Sequence, residues 1–215
     1  MRFNGLAFAL HVTCLNTNRG MSRVHIKNKE VVFNDRAILQ KVRFTIENGK
    51  ASREQEIEVY DHGDAVAVLL YNMEKRTVLV TKQFRLPTFF NGNPSGELLE
   101  VYAGIVENGE SPDTTIRREI LEETGYEIEE VEKLFEAYSS AGVLTELLHL
   151  YLASYSDGQK KEKGGGLEEE GEDIQLVEID FEKAYSMMRS GGIKDAKTII
   201  LLQHFLLEKL PALNE

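Results

Sequence analysis

Residues 104–126 read GIVENGESPDTTIRREILEETGY, and this stretch decides how the chain folds. Ser111 belongs to the residue types that cap helices, and Pro112 follows it at the first helical position, where proline fits best. The pattern therefore predicts a helix over residues 112–124. Glycine readily adopts the left-handed backbone conformation that ends many helices, so we expect Gly125 to close this one.

The predicted helix carries a cluster of carboxylates on one side. With about 3.6 residues per turn, Glu119 and Glu123 lie one turn apart and Glu122 lies beside them. Ile116 and Ile120 flank that side and are expected to face the core. Like charges at this spacing repel, so we expect a bound cation there. Mg²⁺ and Mn²⁺ bind carboxylate oxygens together with substrate phosphates, so the cluster indicates a metal that bridges the protein and a polyphosphate.

The spacing of these residues is similar to the Nudix box, G-x5-E-x7-R-E-U-x-E-E-x-G-U, in which U is an aliphatic residue. The matching positions are Gly104, Glu110, Arg118, Glu119, Ile120, Glu122, Glu123 and Gly125. Tyr126 departs from the pattern at the last aliphatic position, although tyrosine is still largely apolar. Because so many positions agree at fixed spacing, the chain resembles the Nudix hydrolases.

The resemblance implies a role for each part of the motif. It implies that Mg²⁺, with Mn²⁺ as the alternative, is bound by the backbone carbonyl of Ala103 and by the carboxylates of Glu119, Glu122 and Glu123. It implies structural roles for the remaining positions of the box, namely Gly104, Gly125 and an ion pair between Glu110 and Arg118 that orients the ligands. The alternatives are a solvated ion pair and an exposed, charged helix face.

Composition narrows the class of protein. The 215 residues are 42% hydrophobic, which is enough for one catalytic domain with a small appendage. The net charge of −11 argues against nucleic acid and anionic membrane surfaces as partners, and no apolar run approaches the ~18 residues of a membrane span. The single cysteine, Cys14, cannot form a disulfide within the chain, so the cytoplasm is the expected location. Residues 1–20 are expected to be a disordered extension or an upstream start.

Hydrophobic alternation predicts the strands. Three antiparallel strands are expected over residues 23–60, with turns at Asn34-Asp35 and Asn48-Gly49. Residues 21–60 are thus expected to form an N-terminal β appendage to a Nudix domain over residues 61–215. Further strands are predicted over residues 65–71, 77–83, 97–103, 131–139, 145–155 and 174–179, and helices over residues 181–189 and 196–209. The fold class is α/β, and the resemblance implies the Nudix fold, a mixed-sheet α/β/α sandwich.

The resemblance extends beyond the box, over about residues 23–210. The segments that carry it include residues 80–85, 91–96, 133–136 and 164–166. Together they look like the GDP-mannose pyrophosphatase branch of the family, close to the ADP-ribose pyrophosphatases. This implies hydrolysis of a nucleoside diphosphate sugar, namely GDP-mannose to GMP and mannose 1-phosphate, with ADP-ribose as the alternative substrate.

The same resemblance implies the substrate-binding residues. Arg85 would contact the pyrophosphate, since a guanidinium can bind phosphate oxygens in pairs. The others are Ala103, Gly104, Ile105, Glu146 and Lys197. The alternatives are that Arg85 is a surface arginine at a strand end, and that Lys197 holds a solvated head above an apolar helix stripe.

The implied catalytic residues are Glu123 and a base in the acidic loop over residues 167–173. Aligning backward from Ile174 selects Glu172, as a metal ligand or as the group that deprotonates the attacking water. Aligning forward from the preceding glycines selects residues 168–170 instead. A solvated acidic loop without a catalytic role is the remaining alternative.

Two positions depart from the branch, so recognition of the base and the sugar stays open. Ala141 stands where the family often has proline, and residues 53–58 are acidic where the branch tends to be basic. Two other classes compete with an enzyme: a nucleotide-sugar-binding Nudix protein without catalysis, and a structural adaptor. The intact carboxylate cluster favours the enzyme. The resemblance also implies a homodimer in which the appendages exchange across a two-fold axis.

Overall fold

The computed structural model describes residues 23–49, 51–166 and 174–210. The expectations for residues 1–20 and for the loop residues 168–172 lie outside the described residues. The fold that follows is built from two separate sheets with helices packed on the larger one.

The N-terminal part forms an antiparallel sheet of three strands: β1 (Arg23–Asn34), β2 (Ile38–Asn48) and β3 (Ala51–Asp61), in the order β1-β2-β3. The three predicted strands and both turns are confirmed. Most side chains of this sheet are exposed, while Val42 of the central strand is buried. A three-stranded sheet gains stability by packing one face against something else, and this one offers an apolar face for that purpose.

A mixed sheet of seven strands forms the centre of the molecule. Its strands are β4 (Ala65–Asn72), β5 (Thr77–Phe84), β6 (Glu97–Glu100), β7 (Tyr102–Ile105), β8 (Glu132–Tyr138), β9 (Leu147–Ser154) and β10 (Gln175–Asp180). The main path runs β10-β5-β4-β9-β8, while β6 pairs with β5 and β7 pairs with β4. The pairing of β4 with β9 is parallel and the others are antiparallel, so the sheet is mixed as predicted.

Four α-helices lie in the described part of the chain: α1 (Leu86–Phe90), α2 (Pro112–Glu119), α3 (Phe181–Ser190) and α4 (Ala196–Glu208). The sequence did not predict α1, because five residues are too few to show helical periodicity. The predictions of α3 and α4 are confirmed. None of the helices in the described ranges has both the length and the apolar character needed to cross a bilayer.

The helix predicted over residues 112–124 is present, but its last turn widens into a π-helix over Ile120–Thr124. The Ser111 hydroxyl accepts a hydrogen bond from the Thr114 N–H at 3.2 Å, as expected of a cap. Gly125 ends the helix with a φ of 73°. Single π turns inside α-helices occur often at functional sites, and this one carries Glu122 and Glu123.

Alternate residues of β4 face the two layers that cover the sheet. Leu69 packs with buried residues of α3 and α4 on one side. Val68 packs with Ile116 and Ile120 on the other, and both isoleucines are fully buried. The α/β/α sandwich and the core-facing side of α2 are therefore confirmed.

The prediction of one strand over residues 97–103 is wrong, because the chain changes its pairing partner at Val101. β6 before this residue pairs with β5, and β7 after it pairs with β4. The Val101 N–H donates instead to Oγ1 of Thr198 in α4, at 2.8 Å. A side chain 97 positions away thus satisfies the backbone group left over by the strand break, which local sequence patterns do not reveal.

Candidate active site

Arg118 lies among the carboxylates of the α2 segment. Its guanidinium is 3.3 Å from Glu110, 3.0 Å from Glu119 and 2.9 Å from Glu122. The hydrogen bond to Glu122 joins residues one turn apart, as the helical spacing requires. The arginine therefore neutralises part of the charge that the glutamates place on this side of the helix.

Glu110 is fixed at the start of α2 by two contacts. Its Oε2 accepts hydrogen bonds from the Thr115 hydroxyl at 2.9 Å and from Arg118 at 3.3 Å, and these two bonds lower the pKa of Glu110. Partial burial opposes ionisation of Arg118, but Glu110 and Glu119 outweigh it and raise the arginine pKa. The pair is only partly exposed, at 29% for Arg118 and 25% for Glu110, so its geometry is not that of a freely solvated ion pair.

Gly104 in β7 makes room for the Glu119 side chain. A Cβ at this position would lie 2.1 Å from both Cδ and Oε1 of Glu119, so any other residue would collide with the carboxylate. The carboxylate thus rests on the backbone of β7, one residue after Ala103. This contact brings a predicted metal-binding carboxylate to the strand whose backbone carbonyl was predicted as a further ligand.

The π turn over Ile120–Thr124, at the end of α2, is held by a glycine-rich segment over residues 164–166. The Gly165 N–H donates to the Glu123 carbonyl at 2.8 Å, and the Gly166 N–H donates to the Glu122 carbonyl at 3.4 Å. A Cβ at Gly164 would lie 2.5 Å from the backbone carbon of Thr124, which explains glycine there. Main-chain bonds therefore fix the backbone of both glutamates.

The segment over residues 167–173 lies outside the described residues, so the role predicted for Glu172 stays a prediction. The residues on either side of it make backbone hydrogen bonds. Gly166 bonds to the Glu122 carbonyl, as described above, and the Ile174 N–H donates to the Gly165 carbonyl at 3.3 Å. Both ends of the segment are thus tied next to the predicted metal-binding helix.

The donors of this region suit a hard divalent cation, because they are carboxylate oxygens beside a backbone carbonyl. Glu123, on the π turn, is 5% exposed, so it presents a carboxylate from a largely buried position. Among residues 23–49, 51–166 and 174–210, no three acidic or histidine side chains form a ready-made metal site. The Arg118 guanidinium is paired with the carboxylates of Glu119 and Glu122, so a metal ion that binds them would compete with Arg118 for their oxygens.

A cleft of about 580 Å³ opens beside β7 and the start of α4. It brings together all the residues that were predicted to bind substrate: Arg85, Ala103, Gly104, Ile105, Glu146 and Lys197. Through Gly104 the cleft adjoins the Glu119 carboxylate. A ligand in the cleft would therefore meet the side chains of Arg85 and Lys197 and a strand that is in contact with Glu119.

Glu100 is a charged residue of this region that the sequence analysis missed. It is 2% exposed and accepts hydrogen bonds from Arg85 Nε at 2.8 Å and from Lys197 Nζ at 2.6 Å. Burial alone would raise its pKa, but Arg85 and Lys197 outweigh burial and lower the pKa of Glu100. The available signal was a glutamate that ends a short strand just before the apolar pair Val101 and Tyr102.

Asp195 completes the contacts of Lys197. It lies 2.9 Å from Lys197 Nζ, and it caps α4 by accepting a hydrogen bond from the Thr198 N–H, also at 2.9 Å. The Lys197 side chain is 15% exposed and bonded to two carboxylates, so the alternative of a solvated lysine head is wrong. Arg85 is more open, with 44% of its side chain exposed.

The cleft lining also contains a histidine paired with a glutamate. His62 Nε2 lies 3.3 Å from Glu146 Oε2, and the Glu146 side chain is only 12% exposed. The ring of Tyr60 packs edge-on against His62, with centroids 5.8 Å apart. The sequence did not single out His62, because a lone histidine in a loop carries no spacing signal.

The fold, the helix that carries Glu119, Glu122 and Glu123, and the cleft that holds Arg85 and Lys197 are features of the Nudix class of proteins. The family model described as the NUDIX domain matches residues 61–198, which is more than half of the chain. The chain therefore belongs to the Nudix family.

Three relatives of the chain share the name GDP-mannose pyrophosphatase. The chain is 46% identical over 187 residues to the GDP-mannose pyrophosphatase of Pectobacterium atrosepticum, covering 86% of this chain and 95% of that protein. It is 48% identical over 153 residues to the GDP-mannose pyrophosphatase of Escherichia coli O1:K1, covering 71% and 78%. The Citrobacter koseri protein of that name is 46% identical over 181 residues, covering 83% and 92%. Nudix enzymes of this branch generally depend on a divalent metal.

We expect Gly104→Ala and Gly125→Ala to fail in different ways. In Gly104→Ala the new Cβ meets the flexible end of Glu119, so the fold should hold while Mn²⁺ binding weakens by roughly tenfold or more. In Gly125→Ala the Cβ would lie 2.2 Å from the backbone oxygen of Glu162 at a φ of 73°. That variant should lose about 2 kcal/mol of unfolding free energy.

Isothermal titration with Mn²⁺ and urea unfolding measure the two effects. Gly158→Ala serves as the control, because a Cβ there meets nothing within 4 Å. A Gly104→Ala protein that binds Mn²⁺ as tightly as the unchanged chain would contradict the role of this contact.

Proposed function

We propose that the protein hydrolyses the pyrophosphate bond of GDP-mannose, giving GMP and mannose 1-phosphate. The carrying observation is the cleft in which two cationic side chains, Arg85 and Lys197, face a strand that adjoins the acidic helix. Such a site suits an anionic diphosphate with a metal bound to it. The names of the relatives support GDP-mannose as the particular nucleoside diphosphate sugar.

We propose Mg²⁺ as the cofactor, with Mn²⁺ as the alternative. The ligands would be the Ala103 carbonyl and the carboxylates of Glu119, Glu122 and Glu123, with Glu172 as a further candidate. When bound, the ion supplies a Lewis acid that polarises a phosphoryl oxygen and lowers the pKa of water. Glu110 and Arg118 would hold the helix that presents these ligands, together with Gly104 and Gly125.

The chain's own residues would bind and orient the substrate. Arg85, at the cleft rim, offers a planar guanidinium to the phosphate oxygens, and Lys197 offers a point charge beside it. Glu146, a largely buried residue of the cleft lining, is suited to accept hydrogen bonds from hydroxyl groups of the ligand. Gly104 and Ile105 line the same cleft. These contacts would fix the diphosphate in one orientation before the bond is broken.

We propose Glu172 as the base that takes a proton from the attacking water. At one end of its segment the Gly166 N–H donates to the Glu122 carbonyl, and at the other end the Ile174 N–H donates to the carbonyl of Gly165, which itself bonds to Glu123. This anchoring supports a base within reach of a water near the helix that carries these two glutamates.

The appendage contains basic side chains close to the acidic tract over residues 53–58. Glu56 lies 3.1 Å from Lys41 and 2.9 Å from Arg43, both on the neighbouring strand β2. These two pairs lower the pKa of Glu56, so the tract is partly neutralised. The departure from the branch is therefore compatible with an anionic nucleotide, and ADP-ribose remains the substrate to compare.

With Mg²⁺ present, the purified protein should release GMP and mannose 1-phosphate from GDP-mannose. Mass spectrometry of reactions with GDP-mannose, ADP-ribose, ADP-glucose and UDP-glucose measures the products and the preference. A chelator should abolish turnover, and added Mg²⁺ should restore it.

Preference for ADP-ribose would replace GDP-mannose by the alternative substrate. Binding of the sugar nucleotides without any product in excess Mg²⁺ would contradict the enzyme and support the non-catalytic binding class instead. Activity that survives the chelator would contradict the metal.

Glu172→Gln should lower kcat for GDP-mannose by at least ~100-fold with little change in KM, because a base acts on the chemical step rather than on binding. The variants Glu168→Gln, Glu169→Gln and Glu170→Gln serve as matched controls and should keep most of the activity. Steady-state kinetics of the four proteins tests the assignment. A large loss in one of the controls, with Glu172→Gln active, would move the base to that residue.

We propose a cytoplasmic homodimer formed through the β appendage of residues 21–60, with residues 61–215 as the catalytic domain. Val24, Ile26 and Ile57 share one apolar face of the three-stranded sheet, and each is more than 40% exposed. A contiguous exposed apolar face is typical of an interaction surface. The single cysteine, Cys14, is in keeping with a reducing compartment.

Light scattering in solution should give twice the mass of the chain. Ile26→Lys should shift the protein towards the monomer, because it places a charge in the apolar face. His25→Lys is the matched control, since His25 points to the other face and lies 3.6 Å from Glu47, which a lysine also tolerates. A monomeric mass for the unchanged protein would refute the dimer.

A further inference from the structure

Glu100 is a carboxylate buried where water cannot solvate it. It ends β6, at the point where the chain leaves β5 for β4, and its side chain is 3% exposed. A buried charge is costly unless it is paired and hydrogen-bonded. Both oxygens of Glu100 are in fact occupied by cations, Oε1 by Arg85 Nε and Oε2 by Lys197 Nζ.

The two cations come from distant parts of the chain. Arg85 follows β5, 15 positions before Glu100, and Lys197 lies in the first turn of α4, 97 positions after it. Both line the same cleft. The positive charges of Arg85 and Lys197 would repel each other if no carboxylate lay between them. Glu100 therefore allows both to occupy one wall before any ligand arrives.

A second set of contacts ties the network to the fold. Asp195 binds Lys197 and also accepts hydrogen bonds from the N–H and hydroxyl of Thr198. The Thr198 hydroxyl oxygen accepts in turn from the N–H of Val101, the residue next to Glu100. The strand break at Val101 is thus hydrogen-bonded to the first turn of α4. Contacts to the backbone of both elements therefore hold Lys197 close to Glu100.

We propose that Glu100 is a positioning residue, which holds Arg85 and Lys197 side by side in the cleft, where both can meet a diphosphate, without touching the substrate itself. This inference rests on the proposed function. Glu100 would act through the two cations, and its charge would be present at neutral pH, since the cations lower the pKa of Glu100.

Removal of the Glu100 charge should change anion binding in opposite directions if Glu100 positions the two cations and if it only alters the electrostatic attraction. Removal of a negative charge beside two cations makes the cleft more positive, so attraction alone would tighten the binding of an anion. Loss of positioning has the opposite effect, because misplacement of a binding group by about 1 Å can cost up to ~100-fold in rate. Glu100→Gln keeps the shape of the side chain and removes the charge, so it tests the two against each other.

Glu100→Gln should lower kcat/KM for GDP-mannose by roughly 10- to 100-fold and weaken the binding of inorganic pyrophosphate in Mg²⁺. Glu97→Gln is the matched control: Glu97 lies on the same strand, is exposed, and pairs with Lys82 at 2.7 Å outside the cleft. This control should match the unchanged protein in both measurements.

A double-mutant cycle excludes a merely structural role. In a protein that already carries Lys197→Met, Glu100 keeps Arg85 as a partner, and Glu100→Gln should reduce kcat/KM less than it does in the unchanged chain, because one of the two groups that it positions is gone. Equal losses in both backgrounds would assign Glu100 to the stability of the fold and overturn the proposal. Wild-type turnover and pyrophosphate affinity in Glu100→Gln would overturn it as well.

The outcomes also separate this inference from the proposed function. An unchanged protein that binds pyrophosphate but splits no GDP-mannose would refute the proposed function. Weaker pyrophosphate binding by Glu100→Gln would then still support the positioning role. Absence of pyrophosphate binding by the unchanged protein would overturn both.

Discussion

The structure depends on the ion pairs by which Arg118 offsets the repulsion between glutamates at the end of the α2 segment. Three glutamates crowd the end of the α2 segment, in a chain whose net charge is −11. Arg118 offsets part of this charge through contacts with Glu110, Glu119 and Glu122. A ligand with negative charge can approach such a face only when cations accompany it, and the cleft supplies two of them from the protein.

The cationic side of the site is built by the opposite arrangement. There a buried carboxylate, Glu100, separates two positive side chains, whereas on the helix a positive side chain separates carboxylates. Each charged group is held by partners of the other sign. Charges fixed in this way need little reorganisation when a charged ligand binds, which is the property that electrostatic stabilisation of a reaction requires.

The sequence predicted the parts of the site whose geometry is local. The box residues share one helix and its flanking turns, so their spacing alone indicates which side chains meet, and the cap at Ser111 and the end at Gly125 follow from residue types. Glu100 and Asp195 escaped prediction because their partners become neighbours only through the tertiary fold. The same reason explains the strand break at Val101, whose backbone N–H donates to the Thr198 side chain in α4. Helix α1 was missed for its brevity.

The glycine-rich segment over residues 164–166 has a consequence for how such a site can change over time. It holds the π turn through the N–H groups of Gly165 and Gly166, while the Ile174 N–H closes back on Gly165. Main-chain bonds of this kind do not depend on the side chains between the two anchor points. Hydrogen bonding to the carbonyls of Glu122 and Glu123 therefore needs only the backbone of residues 164–166. Gly164, Gly165 and Gly166 all have positive φ, which other residues rarely adopt, so exchange of residues is restricted at these positions although no side chain takes part in the bonds.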